Sequence, residues 1–515
     1  MRIRSSPVLG LLGLCLLLYC RGNREQQTAT RPDSTLRVAL ESGIYTMDPQ
    51  ILNETTTLSV HENMFETLVM QDANLKVITG LAHGWETPDD HTWRIHLRRG
   101  VLFHDGSEMT SADVKFSYER VLAMSNSDFS FFVNSVDRVE IVDDYVVDIK
   151  LKKPYGVVAT LGSIAILPAQ YFRSHGEAYF AEHPVGTGPY QFVGWKSGEW
   201  VRLRAFDKYW GEKRPAFQEV TYRAVSPPEE RMGMLERGEI DIAWMIRPRR
   251  EPPSNYRVLY QPALHVFFLG FDCARDKTPY VDLPANPFRD RRVRQAFLYA
   301  LNTDELIESV FNGRAYKSTQ LVTPSIFGFN PAIQRPSPDL QKARALLAEA
   351  GYPGGFSATL DLPPVRRALA ENLRTQYARV GIRLNLNVVP RDDFYPKIDG
   401  LNTSLFILGW SCSSGDASEL FEYCLHTYDP EKLLGMKNNS GYSNPEVDRL
   451  VERSISTTDL KERLKVLQNA MVVVMNDLPL LPLYIQESVY GVSNQITYTP
   501  RLDDHVLGRD AKPND

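Results

Sequence analysis

The segment at residues 184–190, Pro-Val-Gly-Thr-Gly-Pro-Tyr, predicts a sharp reversal of the chain that leads into a β-strand. Gly186 and Gly188 free the backbone from the limits that a β-carbon imposes, and Pro189 fixes φ at the next step. Residues 190–193, Tyr-Gln-Phe-Val, have the composition of a strand. A phosphate-binding loop is disfavoured, because neither Gly-Lys-Ser/Thr nor a helix start follows the glycines. We therefore interpret the segment as a crossing point between two lobes.

Length and composition indicate a globular protein of several domains. A chain of 515 residues exceeds what one hydrophobic core usually serves, so two or three domains are expected. The fractions of hydrophobic and charged residues, 43% and 23%, are ordinary for a soluble protein. A net charge of −5 and the lack of a long basic run argue against nucleic acid as a partner.

The N-terminus has the pattern of an export signal at residues 1–20. Two arginines precede an apolar core from Val8 to Tyr19, which is too short to cross a bilayer comfortably. Cys20 ends this core, and a polar tether follows at residues 21–34. The pattern resembles a bacterial lipoprotein signal, although Tyr19 stands where that signal normally has a small residue. We expect a protein exported to the periplasm or the cell surface and anchored through a lipid on Cys20.

Three cysteines lie beyond the leader, at positions 273, 412 and 424. In an exported protein they can form at most one disulfide among themselves, and Cys412 with Cys424 is the closest pair in sequence. The alternative is three free thiols. A zinc site is disfavoured, because no CxxC or HxxxH pair is present, and no metal is expected.

The motif most characteristic of a single protein family lies at residues 103–118, Phe-His-Asp-Gly-Ser-Glu-Met-Thr-Ser-Ala-Asp-Val-Lys-Phe-Ser-Tyr. Within it Asp105-Gly106 predicts a tight turn, and Thr110 with Asp113 has the spacing of a capping box. Just upstream, residues 62–69 place apolar side chains at helical spacing.

Together with the crossing segment and with residues 291–302, these motifs resemble the family 5 extracellular solute-binding proteins. That family contains the dipeptide- and oligopeptide-binding receptors of ABC importers. The resemblance covers nearly the whole mature chain. It implies an α/β fold of the type II periplasmic binding proteins, with two lobes, an inserted domain and a ligand cleft between the lobes. The expected boundaries are lobe I at 35–66, 185–265 and 488–515, inserted domain II at 67–184, and lobe II (domain III) at 266–487.

The best single candidate for ligand contact is Trp410, which follows Gly409 at the end of a predicted buried strand. A tryptophan there supplies stacking area and an N–H donor, although a tryptophan packed in the core gives the same pattern. In peptide-binding relatives an aspartate three residues later pairs with the ligand's α-ammonium, and here that position is Ser413. Asp416 matches a second family aspartate and is a candidate replacement.

The resemblance implies further site residues in other segments. Residues just before the Met47-Asp48-Pro49 turn face the cleft in relatives, which makes Tyr45 a candidate. Dipeptide receptors hold the ligand carboxylate with an arginine in a segment that corresponds here to residues 361–367, so Arg366 or Arg367 is expected to serve.

The expected function is capture of a peptide or peptide-sized solute and its delivery to an ABC permease in the membrane, by a monomer without cofactor and without catalysis. Alternatives that keep the fold are a receptor for sugars, metal chelates or haem, or a sensor. An exported hydrolase is a remote alternative. Its only support is His104-Asp105 and scattered serines, and the chain contains neither Gly-x-Ser-x-Gly nor HExxH.

Overall fold

The computed structural model describes residues 34–156, 164–247 and 254–514, so the predicted signal and Cys20 lie outside the described residues. Within these ranges the strands are β1 Thr35–Leu40, β2 Val69–Gln71, β3 Val77–Thr79, β4 Ala82–Asp89, β5 Thr92–Leu97, β6 Val136–Asp143, β7 Val146–Leu151, β8 Tyr190–Lys196, β9 Trp200–Ala205, β10 Glu219–Ala224, β11 Ile242–Trp244, β12 Tyr256–Phe271, β13 Ala315–Lys317, β14 Phe356–Leu362, β15 Ile382–Val388, β16 Leu405–Trp410, β17 Leu480–Ser493, β18 Ile496–Tyr498 and β19 Ala511–Pro513. The α-helices are α1 Thr55–His61, α2 Ser111–Ala123, α3 Ala169–His175, α4 Glu177–Glu182, α5 Pro228–Glu236, α6 Arg291–Ala300, α7 Thr303–Phe311, α8 Leu340–Glu349, α9 Arg367–Ala378, α10 Arg391–Asp399, α11 Ser418–Leu420, α12 Pro445–Ser456 and α13 Leu460–Asp477. None of the helices in these ranges is long and apolar enough to cross a membrane.

One mixed sheet runs through both halves of the described chain. Its order is β15-β14-β16-β12-β17-β11-β1-β10-β9-β8, and β13 pairs with β17 at the side. The long antiparallel strands β12 and β17 connect the two halves. Their register shifts between Pro262 and Val266 and again between Phe267 and Phe268. Such irregularities bend a ribbon locally, so the two halves are joined by a ribbon that is bent near its middle.

The buried apolar side chains follow this division of the sheet. One cluster joins β1 and β8–β10 with the core of the predicted inserted domain, and includes Leu36, Ile95, Tyr118 and Leu203. Two further clusters consist almost entirely of residues after position 263. The predicted inserted domain has a four-stranded sheet of its own, β4-β5-β7-β6, yet it shares its core with lobe I.

The crossing segment at 184–190 lies directly against the chain that follows α1. A β-carbon on Gly186 would lie 2.1 Å from the carbonyl oxygen of Met64, and one on Gly188 would lie 2.5 Å from that of Asn63. These same carbonyls accept hydrogen bonds, Met64 from the Gly188 N–H and Asn63 from the Tyr190 N–H. Only glycine permits backbones to approach this closely, which explains both glycines.

His104 forms hydrogen bonds to the crossing segment from the other side. Its Nδ1 accepts from the Gly186 N–H at 3.3 Å, so its Nε2 carries the proton and donates to the Gly188 carbonyl at 3.0 Å. Burial lowers the pKa of His104 to about 4, so the ring is neutral at pH 7. Asp105 instead accepts from Ser107 within the turn. The His104-Asp105 pair is thus a structural turn and not a catalytic dyad.

Residues 62–69 are not helical, contrary to the prediction from their spacing, because α1 ends at His61. The carbonyls of Asn63 and Met64, which a continuing helix would use, are taken by the crossing segment. Glu66 is buried and accepts hydrogen bonds from residues far along the chain: Thr187, Tyr209 and Trp210, at 2.9, 2.7 and 2.7 Å. Apolar spacing alone misses these long-range partners.

Gly186→Ala is expected to destabilise the protein by at least about 2 kcal/mol, because the added carbon would overlap a backbone oxygen that cannot move away. Equilibrium urea unfolding measures the change. The matched control is Gly84→Ala in β4, where an added β-carbon meets no atom within 4 Å and the change should stay within about 0.5 kcal/mol. Equal midpoints for the two variants would contradict this account of the crossing.

Candidate ligand-binding site

The candidate site lies where neighbouring strands of the second half of the sheet end. β14 and β16 run parallel, with Leu360 opposite Leu405. Their carboxyl ends therefore meet at one edge, which is where open α/β sheets bind ligands. Arg366 follows β14, and Trp410 is the last residue of β16. On the adjacent antiparallel strand β12, Val266 lies opposite Trp410, which brings His265 to the same edge.

Arg366 is half-buried in an aromatic setting. Its guanidinium carbon lies 3.7 Å from the ring centroid of Phe267, and its Nη1 donates to the Tyr484 hydroxyl at 2.9 Å. Phe267 is itself stacked between His265 and Tyr484, with centroid distances of 5.0 Å to each. No carboxylate in the described ranges forms an ion pair with Arg366. A stacked, oriented guanidinium without an anionic partner is suited to bind a carboxylate.

Arg367, the second arginine predicted for this role, does not share this setting. It is the first residue of α9 and its side chain is exposed. The structure therefore separates the two sequence candidates, and Arg366 is the one that lies at the strand ends with Trp410.

Trp410 contributes an unsatisfied donor. Its Nε1 is buried and has no hydrogen-bond partner among the described residues. The indole ring lies 5.7 Å from the ring of Tyr423. Beside it, the Ser411 hydroxyl lies 2.7 Å from Nδ1 of His265, whose pKa burial lowers to about 4, with the nearby Arg366 acting in the same direction. Buried donors are rarely left unpaired in folded proteins, so an indole N–H without a partner is unusual at this position.

Asp416 has a partner of its own and does not face an open site. Its carboxylate forms a bidentate pair with Arg463, at 2.5 and 2.9 Å, and both side chains are buried. The Ser418 N–H also donates to it at 2.9 Å. The prediction that Asp416 replaces the missing ligand aspartate finds no support in this geometry, because its charge is already neutralised. Its role is to anchor the loop at 411–416.

Glu419 is the carboxyl group that sequence reasoning missed. Its Oε2 accepts from the N–H and the hydroxyl of Ser414, at 3.0 and 2.9 Å, so it lies directly behind the loop that contains Ser413. Burial raises the pKa of Glu419 to about 7, although the hydrogen bonds from Ser414 lower it. No cation in the described ranges pairs with it. The only sequence signal was an acidic residue in the short helix after the loop.

Ser413 lines a cavity that reaches into the first half of the molecule. The cavity contains about 950 Å³ of space that protein atoms do not fill, including its open mouth. Its other walls come from the region after α1, from the inserted domain and from the C-terminal segment at 501–509. The loop at 411–416 also contacts the inserted domain directly, since Gln71 Nε2 donates to the Ser414 carbonyl at 2.8 Å.

A family model for the middle region of the bacterial extracellular solute-binding proteins, family 5, matches residues 76–432. The chain belongs to this family. Glutathione-binding protein GsiB of Salmonella choleraesuis is 29% identical over 479 residues, which span 89% of this chain and 90% of GsiB. The predicted two-lobed α/β fold is thereby confirmed, as is a solute-binding role.

Solved structures of relatives have the same fold as this family 5 protein. AgaA of A. tumefaciens, in complex with agropinic acid, is 26% identical with a TM-score of 0.74, and the match covers 93% of this chain and 99% of AgaA. DppA of Helicobacter pylori, in complex with the peptide STSA, is 24% identical with a TM-score of 0.74, covering 93% of this chain and 98% of DppA.

Tyr45 lies apart from the group on lobe II. It is on the loop after β1, its ring lies beside Gly198, and its side chain is 65% exposed. It forms no hydrogen bond or ring contact with Arg366 or Trp410 in the described part of the chain. Its contact with a ligand stays a prediction.

The three cysteines of the described chain are free thiols. Cys412 and Cys424 are both buried, and burial raises the pKa of each well above its usual value. The disulfide between them is not formed, and the alternative of three free thiols describes the structure.

Asp416→Asn is expected to lower the free energy of unfolding by roughly 3 kcal/mol, because it leaves Arg463 buried without a counter-charge. Ligand affinity, measured by calorimetry well below the unfolding temperature, should stay within a few-fold of wild type. The control is Glu462→Gln on α13, which breaks the exposed pair with Arg453 and should cost less than about 1 kcal/mol. Selective loss of binding with normal stability would instead assign Asp416 to the ligand.

Proposed function

We propose that this protein is the substrate-binding receptor of an ABC importer and that it captures peptides between its two lobes. One observation carries the proposal. A cation, Arg366, and a carboxyl group, Glu419, both without ionic partners among the described residues, lie after the neighbouring parallel strands β14 and β16. A peptide with free termini carries the two complementary charges.

Arg366 is the group proposed to bind the peptide's carboxylate. Phe267 and Tyr484 fix the plane of its guanidinium, so little ordering is needed when the ligand arrives. Glu419 is proposed to bind the α-ammonium across the loop at Ser413, where relatives place an aspartate. The indole N–H of Trp410 is left to donate to a carbonyl of the peptide backbone.

The relatives are named for, or were solved with, ligands of more than one kind. GsiB is named for glutathione, and DppA is in complex with a peptide. AgaA, with the same fold, is in complex with agropinic acid. Because one fold can serve several ligands, the proposal rests on the site and must be tested there.

The wider role follows from the proposed function. The receptor acts outside the cytoplasm as a monomer, anchored through Cys20, and delivers its ligand to the permease complex without catalysing a reaction. The boundaries 265/266 and 487/488 between the lobes fall in the bent part of the β12–β17 ribbon, where Pro262 pairs with Glu487 and Val266 with Ile485. A bend in both connecting strands is suited to act as the hinge.

Di- to octapeptides are expected to stabilise the mature protein in a thermal-shift screen. A ligand at a hundredfold excess over its Kd adds about 2.7 kcal/mol to the free energy of unfolding. Arg366→Gln should weaken peptide binding at least about tenfold by removing a charge-assisted hydrogen bond. Arg367→Gln is the matched control, with exposed side chain and unchanged affinity expected. Stabilisation by sugars or chelates alone, with none by peptides, would reject the proposal.

Peptide affinity is expected to rise about twentyfold between pH 5.5 and 7.5. The carboxyl of Glu419 has a pKa of about 7 in the free protein and must be ionised to bind the ammonium, so protonation below pH 7 competes with the ligand. The peptide's own α-amino group, with a pKa near 8, stays largely charged in this range. Isothermal titration calorimetry measures the profile.

The controls for this pH profile separate Glu419 from its neighbours. Glu419→Gln should flatten the rise, and an N-acetylated peptide should show none. Burial raises the pKa of Glu422 to about 8, so Glu422→Gln is included and should retain the rise. Asp416 is already paired with Arg463. An unchanged profile in Glu419→Gln would assign the ammonium to another group.

A further inference from the structure

The cavity beside Ser413 has an apolar floor and a charged wall. The apolar part of the lining, here called the floor, includes Leu58, Phe65, Val69, Met70, Phe129 and Phe132. The charged wall comes mainly from the C-terminal segment, which contributes Arg501, Asp503, His505 and Arg509. Ser413 is the lobe II residue in its lining, so the cavity lies next to the loop at which the ammonium is proposed to bind.

Most of the charges in this wall satisfy one another. His505 Nδ1 lies 3.0 Å from Glu62 Oε1, and Arg501 Nη2 lies 2.6 Å from Asp503 Oδ2. Although burial opposes both shifts, Asp503 and Glu62 raise the pKa of His505 to about 9, and His505 lowers that of Glu62 to about 2. The His505–Glu62 pair is therefore ionised near neutral pH, and Arg501 also lies 3.5 Å from a second carboxylate, that of Asp510.

Arg509 is a positively charged residue that belongs to neither of these ion pairs. It lines the cavity and is half-buried, and it has no hydrogen bond or ion pair with any residue in the described ranges. The remaining carboxyl of the wall, Glu66, is occupied by three hydrogen-bond donors, and burial raises its pKa. Arg509 is thus the cation of the lining that has no direct ionic partner among the described residues, while Glu62 and Glu66 interact with it at a longer distance.

His61 adds an unpartnered acceptor to the same cavity. Its side chain is 2% exposed, and its Nε2 donates to the Thr46 carbonyl at 3.0 Å. Its Nδ1, which is then the acceptor of the neutral ring, has no partner in the described part of the chain. Burial lowers the pKa of His61 to about 4, so the ring stays neutral. A buried acceptor, a cation without a direct ionic partner and several apolar side chains thus line the same cavity.

We propose that this cavity takes the side chain of the ligand's N-terminal residue and that Arg509 selects a carboxylate at the end of that side chain. The favoured ligands are then peptides with an acidic first residue. The inference rests on the proposed function, because Glu419 behind Ser413 holds the ammonium at the mouth of the cavity. The methylene groups of a glutamate side chain pack on the apolar floor, and its carboxylate meets the cation that the wall leaves unpaired.

The test is a cycle of two ligands and several protein variants, measured by isothermal titration calorimetry on the full mature chain. Glu-Ala-Ala and Gln-Ala-Ala are isosteric and differ in the charge of one side chain. Wild type should bind Glu-Ala-Ala at least about tenfold more tightly. Arg509→Gln should reduce that ratio to about one while leaving the affinity for Gln-Ala-Ala within about twofold.

Two further variants of the protein serve as controls. Lys512→Gln removes an exposed cation three residues further on, in β19, and should keep the full preference for Glu-Ala-Ala. Arg509→Lys keeps the charge and should retain a preference, which also covers the case in which Arg509→Gln fails to fold. A ratio near one in wild type, or an unchanged ratio in Arg509→Gln, overturns the inference.

The outcomes distinguish this inference from the function on which it rests. Binding of Ala-Ala-Ala and Gln-Ala-Ala with no preference for Glu-Ala-Ala would leave the peptide receptor intact and reject the acidic pocket alone. Failure of wild type to bind any of the three tripeptides, together with no response to longer peptides, would reject both.

Discussion

The structure depends on the close contact between two stretches of backbone, residues 63–64 and the crossing segment at 184–190. At this contact Gly186 and Gly188 allow a separation that no other residue permits, and the Gly188 and Tyr190 amides donate to the carbonyls at 64 and 63. Glu66 then ties the same region to Thr187 and to the aromatic pair at 209–210. Phe65 and Glu66 also line the cavity beside Ser413, so the contact that sets the path of the chain also shapes one wall of that cavity.

A second constraint acts on lobe II, where the buried ion pair between Asp416 and Arg463 holds the loop after β16. Burying two charges is costly, and such a pair is stabilising only when geometry and hydrogen bonds are favourable, as the bidentate contact and the Ser418 N–H provide here. Because Arg463 neutralises Asp416, the carboxyl that stays available behind the loop is that of Glu419. In this chain the aspartate at 416 is thus paired within lobe II.

Local features of the fold could be predicted from the sequence, whereas features built from distant residues could not. The capping box of Thr110 and Asp113 depends on neighbours within one helical turn, and it forms. The end of α1 depends on carbonyls that a segment over a hundred residues later occupies, which no local pattern reveals. For the candidate site, Trp410 lies at a strand end as expected, but whether Asp416 or Glu419 is available to a ligand depends on Arg463, which pairs with Asp416.

The groups proposed to recognise the ligand lie on both sides of the bent ribbon. Arg366 and Glu419 belong to lobe II, whereas Arg509 lies on the C-terminal segment that packs with lobe I. A ligand can shift the equilibrium between open and closed forms only by binding one form better than the other. A peptide held only by its two ends on lobe II binds the open and closed forms equally well, because those contacts exist in either form. A side chain that also contacts Arg509, across the loop at Ser413, binds the closed form better than the open form. Ligands with that side chain would then favour closure of the two lobes more than other ligands do.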